Sequence, residues 1–119
     1  MTYMTMMIDK LRFQENFKFF DNEIIVEVID MFITEFPERM KEIRKNIDEK
    51  DMSSLRFNAH SIKGVIANFM ADIPQSYAKQ LEEKGKNEDP SELEELYTSL
   101  HDSTSEMIEN LEELKLIYK

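Results

Sequence analysis

From residue 22 to residue 114 the large apolar side chains recur every three or four positions, and that spacing leaves little choice of fold. Ile25, Ile29, Phe32, Phe36, Met40, Ile43 and Ile47 form one series. Met52, Leu55, Ala59, Ile62, Ile66 and Phe69 form a second, a continuous stripe along one helix face. Tyr77, Ala78 and Leu81 mark a shorter helix. Leu93, Leu96, Leu100, Thr104, Met107, Leu111 and Leu114 make a strict heptad stripe in which Thr104 is the weak position. The chain holds 2 glycines and 3 prolines in 119 residues. Average usage of roughly 7% and 5% would give about 8 and 6. So few turn formers argue against an all-β fold and against a glycine-rich phosphate loop.

Boundaries follow from capping chemistry. Asp21 or Asn22 can start the first long helix, which Pro37 is expected to kink or divide. Asp51 or Ser53 can cap the second, over residues 53–70. Asp72-Ile73-Pro74-Gln75 has the form of a capping box, and Asp89-Pro90-Ser91-Glu92 repeats it. Gly85 falls at an expected helix end. The connections are short, as between antiparallel neighbours. The expected fold is all-α: an antiparallel up-down four-helix bundle over residues 22–119, with an N-terminal segment over residues 1–21. There Leu11, Phe13, Phe17 and Phe20 suggest a short helix laid across one end, after a frayed start at Met1, Met4, Met6 and Met7. Four stripes can satisfy one another, so a monomer is expected.

Acids outnumber bases 25 to 15, for a net charge of -10. Such a chain repels polyphosphate, which excludes general nucleic-acid binding. With no cysteine it has neither disulfides nor thiol chemistry. No apolar run reaches the roughly 20 residues of a membrane span, and residues 1–8 lack the pattern of a signal peptide. A cytoplasmic protein without membrane or nucleic-acid partners is expected.

Only two histidines are present. Neither stands in a Glu-x-x-His pair, since Phe57 precedes His60 and Thr98 precedes His101 by three positions. Zincin, Walker and nucleophile-elbow patterns are absent too, so no metal or cofactor of its own is expected. At 100° per residue, His60 lies roughly 130° from the centre of its helix's apolar stripe, on a side shared with Arg56, Lys63, Gly64 and Ala67. A mid-helix glycine costs about 1 kcal/mol relative to alanine. Gly64 takes that cost one turn beyond His60, where it opens space beside the imidazole. Lys63 can bring an ammonium to whatever the ring carries, and Ala67 keeps the following turn low. Arg56, Phe57 and Ala67 are candidates for a docking face. Phe57 can either pack on a neighbouring element or meet a partner.

No acid occurs between Asp51 and Asp72, where the chain average would place about 4. The helix bearing His60 is therefore expected to suit an anionic group. The acidic run over residues 82–95 reads as solvated surface. His101 lacks a lysine and a glycine at matching offsets and reads as structural. Neutral imidazole is a competent nucleophile, and its pKa near 6.5 leaves much of it neutral at pH 7. Phosphoryl transfer asks mainly for positioning and charge compensation. A lone exposed histidine beside a lysine can thus accept and return a phosphoryl group, with the metal coming from the partner.

Ala59-His60-Ser61-Ile62-Lys63-Gly64 resembles the His-x-x-Lys-Gly signature of histidine-containing phosphotransfer (HPt) domains. Ala67-Asn68-Phe69-Met70-Ala71 is similar to the Ala-x-Leu-Gly-Ala stretch that ends the family's histidine helix, with Met70 in the glycine's place. Tyr77, Ala78, Leu81 and Glu82 fall where the family has Leu-Ala-x-x-Leu-Glu. The resemblance spans residues 22–117 and is specific at its centre. It implies that His60 is phosphorylated, that Lys63 helps neutralise the phosphoryl group and that Gly64 clears access. It also implies response-regulator receiver domains and a sensor or hybrid histidine kinase as partners, the receiver supplying Mg. The chain then reads as a phosphocarrier rather than an enzyme, since no ATP-binding motif is present. The alternative is a non-catalytic helical adaptor for receiver or kinase domains.

Overall fold

The apolar series fold as they are spaced. In the computed structural model, which describes residues 6–119, five helices and no strands occur among the described residues. They are α1 (Lys10–Asn16), α2 (Asn22–Asp48), α3 (Met52–Ala67), α4 (Asp72–Lys86) and α5 (Leu93–Tyr118). Every member of the α2 and α5 series is buried, Thr104 included. In the second series Met52 alone is only partly buried. The four long helices pack in a closed circuit: α2 on α3, α3 on α4, α4 on α5 and α5 on α2. The result is a helical bundle around one apolar core. No helix among the described residues is long and apolar enough to cross a membrane.

Several local expectations are corrected. Pro37 does not divide α2, which runs unbroken for 27 residues. Pro37 sits on the exposed side, while Phe36 and Met40 on either side of it stay anchored in the core. Asp72 is not a cap. Ala71 holds that position, and the Asp72 carboxylate instead accepts from Arg12 Nη1 at 2.9 Å. Asp89 does not cap α5, which begins four residues later after Glu92. Its carboxylate accepts from the Ser91 N–H and hydroxyl and from Lys84, closing a turn of its own. Asp51 does cap α3, accepting from the Ser54 N–H at 3.1 Å.

Neither glycine makes a turn. The residues in the left-handed region are Lys50, Met70, Glu88 and Glu92, with φ of 55°, 58°, 51° and 62°. Each costs roughly 1–2 kcal/mol that glycine would avoid. Gly85 lies in the last turn of α4, one residue before its end as expected, and is buried. A Cβ there would stand 2.7 Å from Arg56 N and 2.8 Å from Met52 O. Its role is to let the α3 and α4 backbones touch.

At one end of the bundle Phe13 and Phe17 are buried against Phe69. Leu11 faces outward, while the half-exposed Phe20 packs its ring on Phe17 at 5.5 Å. Met7 is tied down, its N–H donating to Asn110 Oδ1 at 2.8 Å, so no fraying reaches it. Met1 and Met4 lie outside the described residues.

Candidate functional site

The site forms where α3 and α4 touch. His60 projects from the middle of α3 with a side chain 69% exposed. Its Nδ1 lies 2.6 Å from Glu82 Oε2 on α4. The other oxygen of the same carboxylate accepts from Lys63 Nζ. Glu82 is thus gripped at both oxygens and is only 17% exposed. Burial pushes its pKa up, but hydrogen bonds and charge from Lys63 and His60 outweigh that, and the net shift is downward. An ionised carboxylate only accepts, so Nδ1 carries the ring proton. The lone pair of neutral His60 is then on Nε2, which has no hydrogen-bond partner among the described residues.

Glu82 corrects the reading of this surface. The acid-free stretch of α3 is real, yet the neighbouring helix places a carboxylate on the histidine. Glu82 is also no part of a merely solvated acidic run. Two signals bore on it: Glu82 follows Leu81 at the edge of the α4 apolar face, and it closes the Leu-Ala-x-x-Leu-Glu resemblance. Gly85, one turn further on, is what brings α4 close enough for the contact.

The other sequence candidates fall around this pair. A Cβ on Gly64 would meet no atom within 4 Å, so the space beyond the imidazole is open. Arg56 is exposed, and Ala67 is partly buried. Phe57 is 73% exposed and packs on no neighbouring element. Lys63 does not stand free beside the ring; it is held by Glu82 and is 25% exposed. Behind His60, Arg39 of α2 donates to Ser61 Oγ at 2.9 Å, and Asn58 donates to Asn46 Oδ1 at 2.7 Å. These bonds fix α3 against α2 on the side away from α4, and sequence reasoning had not singled them out. His101 lies elsewhere, against Phe36 and Tyr97, with Asp102 at 3.2 Å.

The family model described as Hpt domain matches residues 27–115. Among solved structures, the crystal structure of histidine-containing phosphotransfer protein B (HptB) from Pseudomonas aeruginosa PAO1 is similar, with a TM-score of 0.85 and 21% identity. The similarity covers 94% of this chain and 96% of that one, and it shows the shared fold. No curated protein matches the chain.

Proposed function

The chain belongs to the Hpt domain family, and from that premise we propose that it carries phosphoryl groups in a phosphorelay with His60 as the acceptor. The observation that supports this reading best is the state of the imidazole: Nδ1 engaged by a carboxylate, Nε2 open to solvent. The Nε2 lone pair attacks the phosphorus of a receiver-domain aspartyl phosphate. The N–P bond forms, the acyl P–O bond breaks, and the aspartate carboxylate leaves. No proton need be removed from the attacking nitrogen. The positive charge that develops on the ring is met by Glu82 across Nδ1–H, where a partly buried ionised acceptor is worth more than an exposed one. Lys63, on the same carboxylate, is the cation nearest the incoming oxygens.

No cluster of carboxylates or histidines among the described residues could hold a metal ion, and in this reading the magnesium comes with the receiver domain. The open position at Gly64, the exposed Phe57 and Arg56 and the partly buried Ala67 make the face on which the partners dock. A sensor or hybrid histidine kinase and a response regulator are the partners on either side of the transfer. In this reading the carrier is a cytoplasmic monomer, with residues 22–119 the phosphotransfer unit and residues 1–21 its extension. The short connections at 49–51, 68–71 and 87–92 support an up-down antiparallel course for the four long helices.

The test is label transfer. Incubated with a phosphorylated receiver domain and magnesium, the protein should take up acid-labile, base-stable label, and His60→Gln should take up none. Label persisting on His60→Gln overturns the assignment. Unchanged signalling by His60→Gln, with binding kept, would make the chain an adaptor.

A further inference from the structure

The polar contacts of the N-terminal segment converge on one turn. The Asp9 N–H donates to the Met70 carbonyl at 3.0 Å. Asn16 Nδ2 donates to the Asn68 carbonyl at 3.1 Å. Arg12 pairs with Asp72 at 2.9 Å and reaches Met70 Sδ at 3.6 Å. Among the described residues, only Met7 is tied elsewhere, to Asn110. The rings of Phe13 and Phe17 lie 6.3 and 6.2 Å from Phe69, in the same turn.

That turn, residues 68–71, joins the helix of His60 and Lys63 to the helix of Glu82. It contains Met70 at φ 58°, a conformation that a residue with a side chain rarely takes. At 7 residues α1 is too short to persist alone, so its helix depends on this docking. Glu82 lies ten residues along α4 from its start, about 15 Å at 1.5 Å per residue. Over that lever a small change in the turn moves the carboxylate by more than a hydrogen bond tolerates.

We infer that residues 9–16 form a strap that holds Met70 in its left-handed conformation and thereby sets where α4 lies along α3. Arg12 and Asn16 are then positioning residues for the His60–Glu82 hydrogen bond, although they touch neither partner. The inference rests on the proposed role of His60 for its functional consequence, and on geometry alone for its structural one.

Three forms of the full chain test it: Arg12→Ala/Asn16→Ala, Met70→Gly, and the three substitutions together. The first readout is the His60 ring tautomer from long-range proton–nitrogen spectra; the second is phosphoryl uptake from a phosphorylated receiver domain. The double variant should mix the tautomers and slow uptake by about threefold or more. Adding Met70→Gly, which removes the steric penalty the strap offsets, should restore both; plain loss of stability would not be rescued in this way. If the double variant fails to fold, Asn16→Ala alone should move the tautomer in the same direction. A strap variant with the wild-type tautomer and rate overturns the inference, as does failure of Met70→Gly to restore them. A tautomer shift with no uptake by any form overturns the phosphotransfer reading instead, and leaves the strap standing.

Discussion

Alanine at Gly85 and alanine at Gly64 should move stability in opposite directions. Both glycines sit in α-helices and neither has positive φ. Backbone propensity alone would favour alanine at each by up to about 1 kcal/mol. Their surroundings decide. A Cβ on Gly64 meets nothing within 4 Å, so most of that gain survives. A Cβ on Gly85 would stand 2.7 Å from Arg56 N, 2.8 Å from Met52 O and 2.9 Å from Arg56 Cα. All three are backbone atoms, and none can swing aside. To reach ordinary contact, α4 must retreat from α3 by roughly half an ångström or more in a core packed near crystal density. Overpacking of this kind costs about 1–3 kcal/mol, which exceeds the propensity gain. We expect Gly85→Ala to lose about 1–2 kcal/mol, and the two variants to differ by about 2–3 kcal/mol. Urea denaturation followed by far-ultraviolet circular dichroism measures both. Gly85→Ala as stable as Gly64→Ala would refute the close approach of α3 and α4. Activity should divide differently from stability: Gly85→Ala displaces Glu82, three residues earlier, while Gly64→Ala puts a methyl group on the docking face, so both should slow uptake.

Two further outcomes concern one buried and one partly buried polar group. Thr104 is fully buried and its hydroxyl has no partner; Thr104→Val should therefore gain about 1 kcal/mol, seen as a melting point raised by a few degrees, and a lowered one would show the hydroxyl to be satisfied. The lowered pKa of Glu82 makes its contribution to stability complete above the ordinary glutamate value of 4.5, and lost as the pH falls from there through the lowered value. Glu82→Gln should flatten the stability profile in that acid range, and a profile as steep as the wild type's would remove Glu82 from the pH dependence.

The parts of this protein that could be read from its sequence are those governed by neighbours three and four residues away. The stripes of α2, α3 and α5 satisfy that condition, and all their residues but Met52 are buried. His60, Lys63 and Gly64 also share one helix face, so their association needed no knowledge of tertiary structure. Glu82 fails the condition, because its place beside His60 depends on how two helices lie together, and that depends on Gly85 meeting the backbone at Arg56. Capping signals misled for a related reason. Asp72 and Asp89 have the right chemistry for caps, but Arg12, Lys84 and Ser91 compete for their carboxylates and win. Met70 looked like a departure at a helix terminus, and φ 58° shows what the position demands: a conformation that glycine takes freely and methionine takes under constraint.

The charge at the site gives the proposed transfer its direction of bias. Before phosphorylation the charges of Lys63 and Glu82 cancel. A phosphoryl group brings about −1.5 to −2, and the ring becomes imidazolium. With Lys63 and Glu82 unchanged, the site is left with a net charge of about −0.5 to −1, on a protein that already carries -10. Because Glu82 stabilises the imidazolium while occupying Lys63, it supports formation of the N–P bond without leaving a full cation to hold the phosphoryl oxygens. A phosphoryl group stored on these terms is held by the ring rather than by the surrounding charge. It should pass readily to a partner that brings its own cation, which suits a carrier better than a store.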